Sequence, residues 1–246
     1  MGILAGYGEI LPMDVIKIFP HGILNVHTSL LPKWRGASPE QATILAGDSV
    51  SGGSIMKLDD KMDHGPILTQ YEIDVLPGDT RESLRNKIFE KGATVLSELI
   101  DSYVTGKIKL KPQNHNEATY TRLIKKEFGF IPPEAISYAL EGKEFPQKFE
   151  VPFIKDCSIN LNPETIERFV RAMHPWPGVW SYIQLLVNPE QSSGRKRIKI
   201  LKAHLSSPTE ENKSKVSLII DEIQLEGKNP VSFEEFKRGY PTATFA

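Results

Sequence analysis

The spacing of hydrophobic and polar positions changes several times along the chain, and each change marks an element. Residues 3–5 end an apolar strand, Gly6-Tyr7-Gly8 turns the chain, and a helix led by Pro12 carries Val15, Ile16 and Phe19. The apolar run at 22–28 is of strand type. The first elements therefore read as a βαβ unit with two parallel strands. Ser38-Pro39-Glu40-Gln41 has the form of a helix start, with Ser38 at N-cap, Pro39 at N1 and Gln41 at N3, and Gly47 stops that helix. Gly53 to Leu58 reads as a third strand and Ile67 to Val75 as a fourth, separated by the polar loop Asp59 to Pro66. The longest helix is predicted from Asp79 to Tyr103, capped by Asp79 and Glu82 and ended by Gly106. Its apolar stripe, Leu84, Ile88, Val95, Leu96, Leu99 and Tyr103, should lie across the sheet.

From Lys111 the periodicity fades among Pro112, Pro132, Pro133, Pro146 and Pro152, with only a short helix expected near 133–141. Segment 112–156 reads as a linker between a first domain, 1–111, and a second, 157–246. In the second, Asn162-Pro163 caps a helix bearing Ile166, Phe169, Val170 and Met173, and the run His174 to Gly178 turns the chain. Alternating strands at 179–187, 196–204 and 215–225 precede a helical turn at 232–238, with Ser232 and Glu235 as its capping box. The fold class expected is α/β: a partial doubly wound, Rossmann-like sheet followed by a small OB-like β-barrel.

With 246 residues and 39% hydrophobic content the chain can bury a core and is long enough for two modest domains. No apolar run reaches the length of a membrane span and the first residues lack the form of a signal peptide, so a cytoplasmic location is expected. The one cysteine, Cys157, excludes an internal disulfide framework and reads as a packing residue. A net charge of −1 argues against a general polyanion binder. The cations Arg195, Lys196, Arg197, Lys199 and Lys202 are nevertheless clustered. Alternation of Arg195, Arg197 and Lys199 with Ile198 and Ile200 suits a half-exposed barrel strand as well as an RNA-contacting face.

The chemistry concentrates at the end of the second strand. Asn25 and His27, two residues apart, project from one face where strands of an open α/β sheet present ligands. A lone histidine is more often structural than chemical; the spacing and the polar loop that follows, with its guanidinium at Arg35, change that balance. Asp63 adds a carboxylate, on a loop taken to follow a parallel strand and so to converge on the same edge, with Asp59 and Asp60 as rivals. An amide, an imidazole and a carboxylate without a nucleophile point to acyl or one-carbon transfer to an incoming amine. His64 beside Asp63 has no recognisable metal-ligand spacing, and no metal is expected.

The run Ser29-Leu30-Leu31-Pro32-Lys33-Trp34-Arg35-Gly36 resembles the SLLPxWRG signature of methionyl-tRNA formyltransferases, and Asn25, His27 and Asp63 match the Asn/His/Asp trio of folate-dependent formyltransferases. Leu4 to Pro12 is similar to the family strand before this site, and His174-Pro175-Trp176-Pro177-Gly178, Ile200 to Ala203 and Leu225 to Lys228 extend the likeness over nearly the whole chain. Trp34 favours the tRNA enzymes over relatives that formylate purine precursors. The resemblance implies formyl transfer from 10-formyltetrahydrofolate to the α-amine of methionyl-initiator tRNA. Ser29, Leu30, Leu31 and Pro32 would hold the folate with an apolar wall at Ile10 and Leu11. Asn25 and His27 would polarise the formyl oxygen, while Asp63 acts with His27 and helps carry the amine proton. The second domain would hold tRNA through Arg195, Arg197, Lys199 and Lys202. Alternatives are a formyltransferase acting on an amino sugar nucleotide and a non-catalytic tRNA-binding remnant. The family's catalytic domain opens with further strand-helix units. The chain therefore reads as an N-terminally truncated catalytic domain with a hydrophobic sheet edge at strand 3–5, acting as a monomer.

Overall fold

The computed structural model of the chain describes residues 1–9, 11–185, 194–207 and 216–245. They form two units, Met1–Ile124 with Phe153–Lys155, and Lys125–Pro152 with Asp156–Ala246.

In the first unit, β1 (Gly2–Ala5), α1 (Met13–Lys17) and β2 (Ile23–His27) make the expected βαβ unit, with β1 and β2 parallel. A two-residue strand β3 (Arg35–Gly36), helix α2 (Pro39–Ala46), strands β4 (Val50–Lys57) and β5 (Ile67–Asp74) and the long helix α3 (Arg81–Val104) follow. The sheet order is β1-β2-β4-β5. β2, paired on both sides, is buried throughout, whereas Ile3 of the outer strand β1 is half exposed. Leu24, Ile55, Met56, Leu84 and Ile88 are fully buried, each stabilising the unit by about 1.5–3 kcal/mol.

The third strand departs from expectation. β4 is antiparallel to β2, with His27 opposite Ser54 and Leu24 opposite Lys57. α2 has eight residues and is about 12 Å long; it stays at the His27 end of β2 instead of carrying the chain back across the sheet, so β4 enters at that end. β5 then pairs antiparallel with β4, and the sheet is mixed.

The helix caps also differ. Ser38 occupies the N-cap of α2, but its hydroxyl donates to the Arg122 carbonyl (2.7 Å) and no side chain caps the helix. α3 is capped by Thr80 with Ser83, not by Asp79 with Glu82. Asp79 lies one residue too early; it accepts from Leu76 N, Ser83 Oγ and Lys87 Nζ instead. The buried stripe of α3 is Leu84, Ile88, Gly92 and Leu96. Gly92 takes a place in it because the Tyr71 hydroxyl stands between Gly53 and Gly92, where added Cβ atoms would lie 2.1 and 2.3 Å from it. That hydroxyl donates to the Ile88 carbonyl (2.8 Å), and burial pushes its pKa up to about 12.

Residues 112–156 carry elements of their own, divided between the units: β6 (Tyr120–Thr121), parallel to β3; α4 (Pro133–Leu140); and β7 (Lys148–Glu150), which pairs with β8 (Ser158–Asn160). The second unit continues with α5 (Pro163–Met173), β9 (Val179–Leu185), β10 (Gly194–Leu205), β11 (Leu218–Leu225), β12 (Val231–Ser232) and α6 (Phe233–Gly239). Asn162 caps α5 by accepting from Thr165 N (2.8 Å), and Ser232 with Glu235 forms the capping box of α6, both as expected. Positions 186, 187 and 215 of the expected strands lie outside the described residues.

The sheet of this unit has the order β12-β11-β10-β9. Among the described residues no closed barrel is found, and the outer edge of β9 is met by isolated bridges from Phe130 and Thr244. α5 packs on β9, β10 and β11 and buries Ile166, Phe169, Val170 and Met173 there, so the apolar face is covered by a helix and not by the sheet curling on itself. Cys157 is half buried and its thiol pKa is raised by burial, consistent with a packing role.

Candidate active site

β2 ends at a cavity of about 350 Å³ in the first unit, lined by Asn25, His27 and Asp63 together with Leu11, Gly36, Glu40 and Arg85 among others. Asn25 and His27 reach it through their i, i+2 spacing. The His27 ring is 7% exposed and its Nε2 lies 3.0 Å from the Trp34 carbonyl. That carbonyl can only accept, so Nε2 carries a proton and Nδ1 is the nitrogen turned to Asp63, 3.6 Å from Oδ1. Among the described residues the Asn25 amide makes no side-chain hydrogen bond, which leaves its donors for a ligand.

Asp63 arrives by a route different from the expected one. Leu58 N donates to Ile23 O, at the far end of β2, because β4 is antiparallel. The loop must then run back along β2 to set Asp63 beside His27, four residues further on, about 13 Å along a strand. Three bonds hold it there. Gly36 N donates to Asp63 Oδ2 (2.7 Å), while Gln113 Nε2 donates to the carbonyls of Asp63 (2.9 Å) and Gly65 (2.7 Å). Asp63 takes φ +48°, a left-handed backbone that side chains other than glycine adopt only at a cost. Gly36 has φ +104°, and a Cβ there would meet Thr121 O at 2.2 Å; only glycine lets β3 approach β6 with its amide turned toward Asp63.

Of the rivals, Asp59 also lines the cavity but is engaged by other partners, and Asp60 is not in the lining. Asp59 Oδ2 lies 2.7 Å from His64 Nδ1, and Asp59 Oδ1 accepts from Lys61 N. Arg35 does not look over the crevice as its position in the loop suggested. It is 1% exposed, with its guanidinium on Gln113 Oε1 (2.6 and 3.2 Å), Tyr120 Oη (3.2 Å) and His115 Nδ1 (2.8 Å). His115 stacks on His64 at 3.9 Å; desolvation first, then the neighbouring His64 and Arg35, lowers its pKa and keeps it neutral enough to accept from Arg35.

Of the residues expected against folate, Leu11 lines the cavity and Ile10 lies outside the described residues. The turn Ser29 to Pro32 is not in the lining. Ser29 and Leu31 are buried behind it: Ser54 Oγ donates to Ser29 O (2.7 Å), Leu31 N donates to Ser54 Oγ (2.9 Å), and Leu31 packs with Met56 and Ile67. Sequence reasoning missed Gln113, Gly36 as a donor, and the cavity residues Glu40 and Arg85. Gln113 sits in a stretch without periodicity, and no local signal marks it.

In the second unit Arg195, Arg197, Lys199 and Lys202 all stand on the outward face of β10 while Ile198, Ile200 and Ala203 point inward. A bulge between Ile200 and Ala203 keeps Lys202 on the outward side, where strict alternation would have turned it in. Arg195 lies over the Tyr182 ring (4.3 Å) and Arg197 over Trp180 (5.6 Å), and Arg197 also pairs with Glu226 (2.8 Å). Among the described residues Lys199 and Lys202 make no ion pair. Nor do those residues contain a cluster of three or more potential metal ligands or a helix long and apolar enough to cross a membrane.

The family description "Formyl transferase" matches residues 1–100 and "Formyl transferase, C-terminal domain" matches residues 155–216. The chain belongs to the formyl transferase family. It is 40% identical over 182 residues to a methionyl-tRNA formyltransferase of Chloroflexus aggregans, an alignment covering 74% of this chain and 50% of the relative. A methionyl-tRNA formyltransferase of Geotalea daltonii is 28% identical over 258 residues, 99% of this chain and 71% of the relative. The chain thus spans about half the length of several curated relatives it matches, the Chloroflexus protein among them. Among solved structures, HypX from Aquifex aeolicus in complex with tetrahydrofolic acid shares the fold at a TM-score of 0.61 and 14% identity, covering 96% of this chain and 38% of that one.

Proposed function

We propose that the chain transfers a formyl group from 10-formyltetrahydrofolate to the amino group of methionyl-initiator tRNA, serving translation initiation. The observation that carries this reading is the His27 ring held between the Trp34 carbonyl and the Asp63 carboxylate, with the unengaged Asn25 amide lining the same cavity. Its support from relatives is the curated name shared by the Chloroflexus and Geotalea proteins.

The donor set fits a formyl donor. A cavity of about 350 Å³ with an apolar wall at Leu11 and Leu58 suits part of a flat heterocycle. The folate supplies the formyl carbon. The Asn25 amide donates to the formyl oxygen as charge grows there while the amine nitrogen bonds to that carbon, and the His27 ring, its two nitrogens turned to Trp34 O and Asp63, acts on that charge through its field. Asp63 orients His27 and, as the bond from the carbon to the folate nitrogen breaks, receives the proton shed by the amine and passes it toward that nitrogen. Ser29 to Pro32 act from behind the cavity, fixing the loop that presents the Trp34 carbonyl. Binding both reactants in attack geometry provides much of the acceleration. The outward face of β10 takes tRNA phosphates, with Arg197 the cation of that face already paired among the described residues.

The experiment is a formylation assay with charged initiator tRNA, run beside an amino sugar nucleotide. Turnover with the tRNA and none with the sugar is expected; the reverse preference would replace the acceptor, and turnover with neither would remove the reading.

A further inference from the structure

We propose that Gln113, oriented by the buried Arg35 guanidinium, is the positioning residue that sets Asp63 against His27. Its kinetic consequences rest on the formyl-transfer reading, but the geometry stands without it.

A glutamine amide has two donor hydrogens and two acceptor lone pairs, and all four are used here. Oε1 accepts from Nε and Nη2 of Arg35; Nε2 donates to the carbonyls of Asp63 and Gly65. The sense of the amide is therefore set by charge: reversed, its NH2 would face the guanidinium and its oxygen would face two carbonyls. Arg35 and Gly36 are consecutive, so one short strand grips the Asp63 loop twice, by backbone at the carboxylate and through Gln113 at the carbonyls.

The choice of residue is informative. Arg35 is among the largest fully buried side chains, and among the described residues no carboxylate lies within ion-pair distance of it. Neutralising a buried charge favours a carboxylate at position 113, since an unpaired buried ion is costly. A glutamate there would pair with Arg35 but turn an oxygen toward the Asp63 and Gly65 carbonyls. Glutamine is the residue that serves Arg35 less well and the Asp63 loop better. It does not line the cavity, so it acts on the chemistry only through Asp63.

Gln113→Glu separates the two roles. With Arg35 paired, the chain should still melt cooperatively at or above the temperature of the parent. The Gly36 amide proton, shifted downfield by its charge-assisted bond to Asp63 Oδ2, should move upfield and exchange faster. In the formylation assay kcat should fall about ten- to a hundredfold, as a small misplacement of a reacting group does, while KM for the folate stays within about twofold. Placed in an Asp63→Asn background, Gln113→Glu should add less than about twofold, because its effect passes through that carboxylate. An unmoved Gly36 amide, or a full additional loss in the Asp63→Asn background, would overturn the proposal. If Gln113→Glu does not fold, Gln113→Met, which has the shape without the donors, is read by the same amide signal. If the parent chain formylates neither acceptor, the functional reading falls, and the Gly36 signal still decides the positioning role.

Discussion

Asp63→Asn tests the core of the reasoning with little steric change, because asparagine keeps the shape of the side chain and an oxygen to accept from Gly36 N. What it removes is the charge 3.6 Å from His27 Nδ1, at a place where both side chains are largely withdrawn from water. Two unit charges about 4 Å apart attract by roughly 4 kcal/mol at an effective dielectric near 20. Part of that is screened, since Asp63 opens on a cavity, so about 2–4 kcal/mol of support is lost for positive charge on the His27 ring beside the growing oxyanion. At 1.36 kcal/mol per factor of ten, kcat should drop about 30- to 1000-fold. Single-turnover formyl transfer to charged initiator tRNA, followed at saturating folate, measures the step directly. KM for the folate should change by less than about threefold, because the charge acts mainly in the transition state. A folded Asp63→Asn variant turning over within about threefold of the parent would refute the His27–Asp63 pair as the working unit.

Asn25→Ala should lower kcat about 10²- to 10³-fold through the lost oxyanion contact, in the same single-turnover assay. Replacing Arg195, Arg197 and Lys199 by Gln should weaken tRNA binding and flatten its dependence on salt, read by filter binding across a salt series; Arg197 already pairs with Glu226, so Lys199→Gln alone should take a larger share of the change than Arg197→Gln. Gly92→Ala, which in an exposed helix interior would gain about 1 kcal/mol, should instead destabilise the first unit by about 1–3 kcal/mol in urea unfolding, because the new methyl meets the Tyr71 hydroxyl. Burial alone would raise the pKa of Asp79, but bonds from Lys87, Leu76 N and Ser83 outweigh it and hold the carboxyl below its ordinary 3.8. Its folded value is depressed, so its stabilising contribution is present above that ordinary value and lost as pH falls through the folded one. Asp79→Asn should therefore lower stability at neutral pH and reduce the fall seen on acidification, measured by melting across pH.

Local order along the chain determined a good deal. The side-chain period of a strand is a property of two neighbouring residues, so Asn25 and His27 were readable as facing one way, and so was the cationic face of β10. The N-cap of α5 at Asn162 and the box at Ser232 and Glu235 were readable for the same reason: their bonds close within three residues. At α3 the cap falls one position later, because Asp79 and Thr80 both suit a cap and it is Thr80 that pairs with Ser83, while Asp79 is drawn to Lys87, two turns further along. Strand direction was beyond reach. Whether β4 runs with or against β2 depends on where α2 rests, and the helix pattern of residues 39–46 is the same in either case. With β4 antiparallel, no parallel strand delivers Asp63 to the sheet edge; Asp63 is at His27 because Gly36 and Gln113, 27 and 50 residues away in sequence, hold the loop there. How far the sheet of the second unit closes has the same origin. Alternation says that one face is apolar; whether a closing strand or a helix such as α5 covers it is decided by packing between distant segments. Gln113 and the burial of Arg35 belong to that class, since each is defined by partners that only the folded chain assembles.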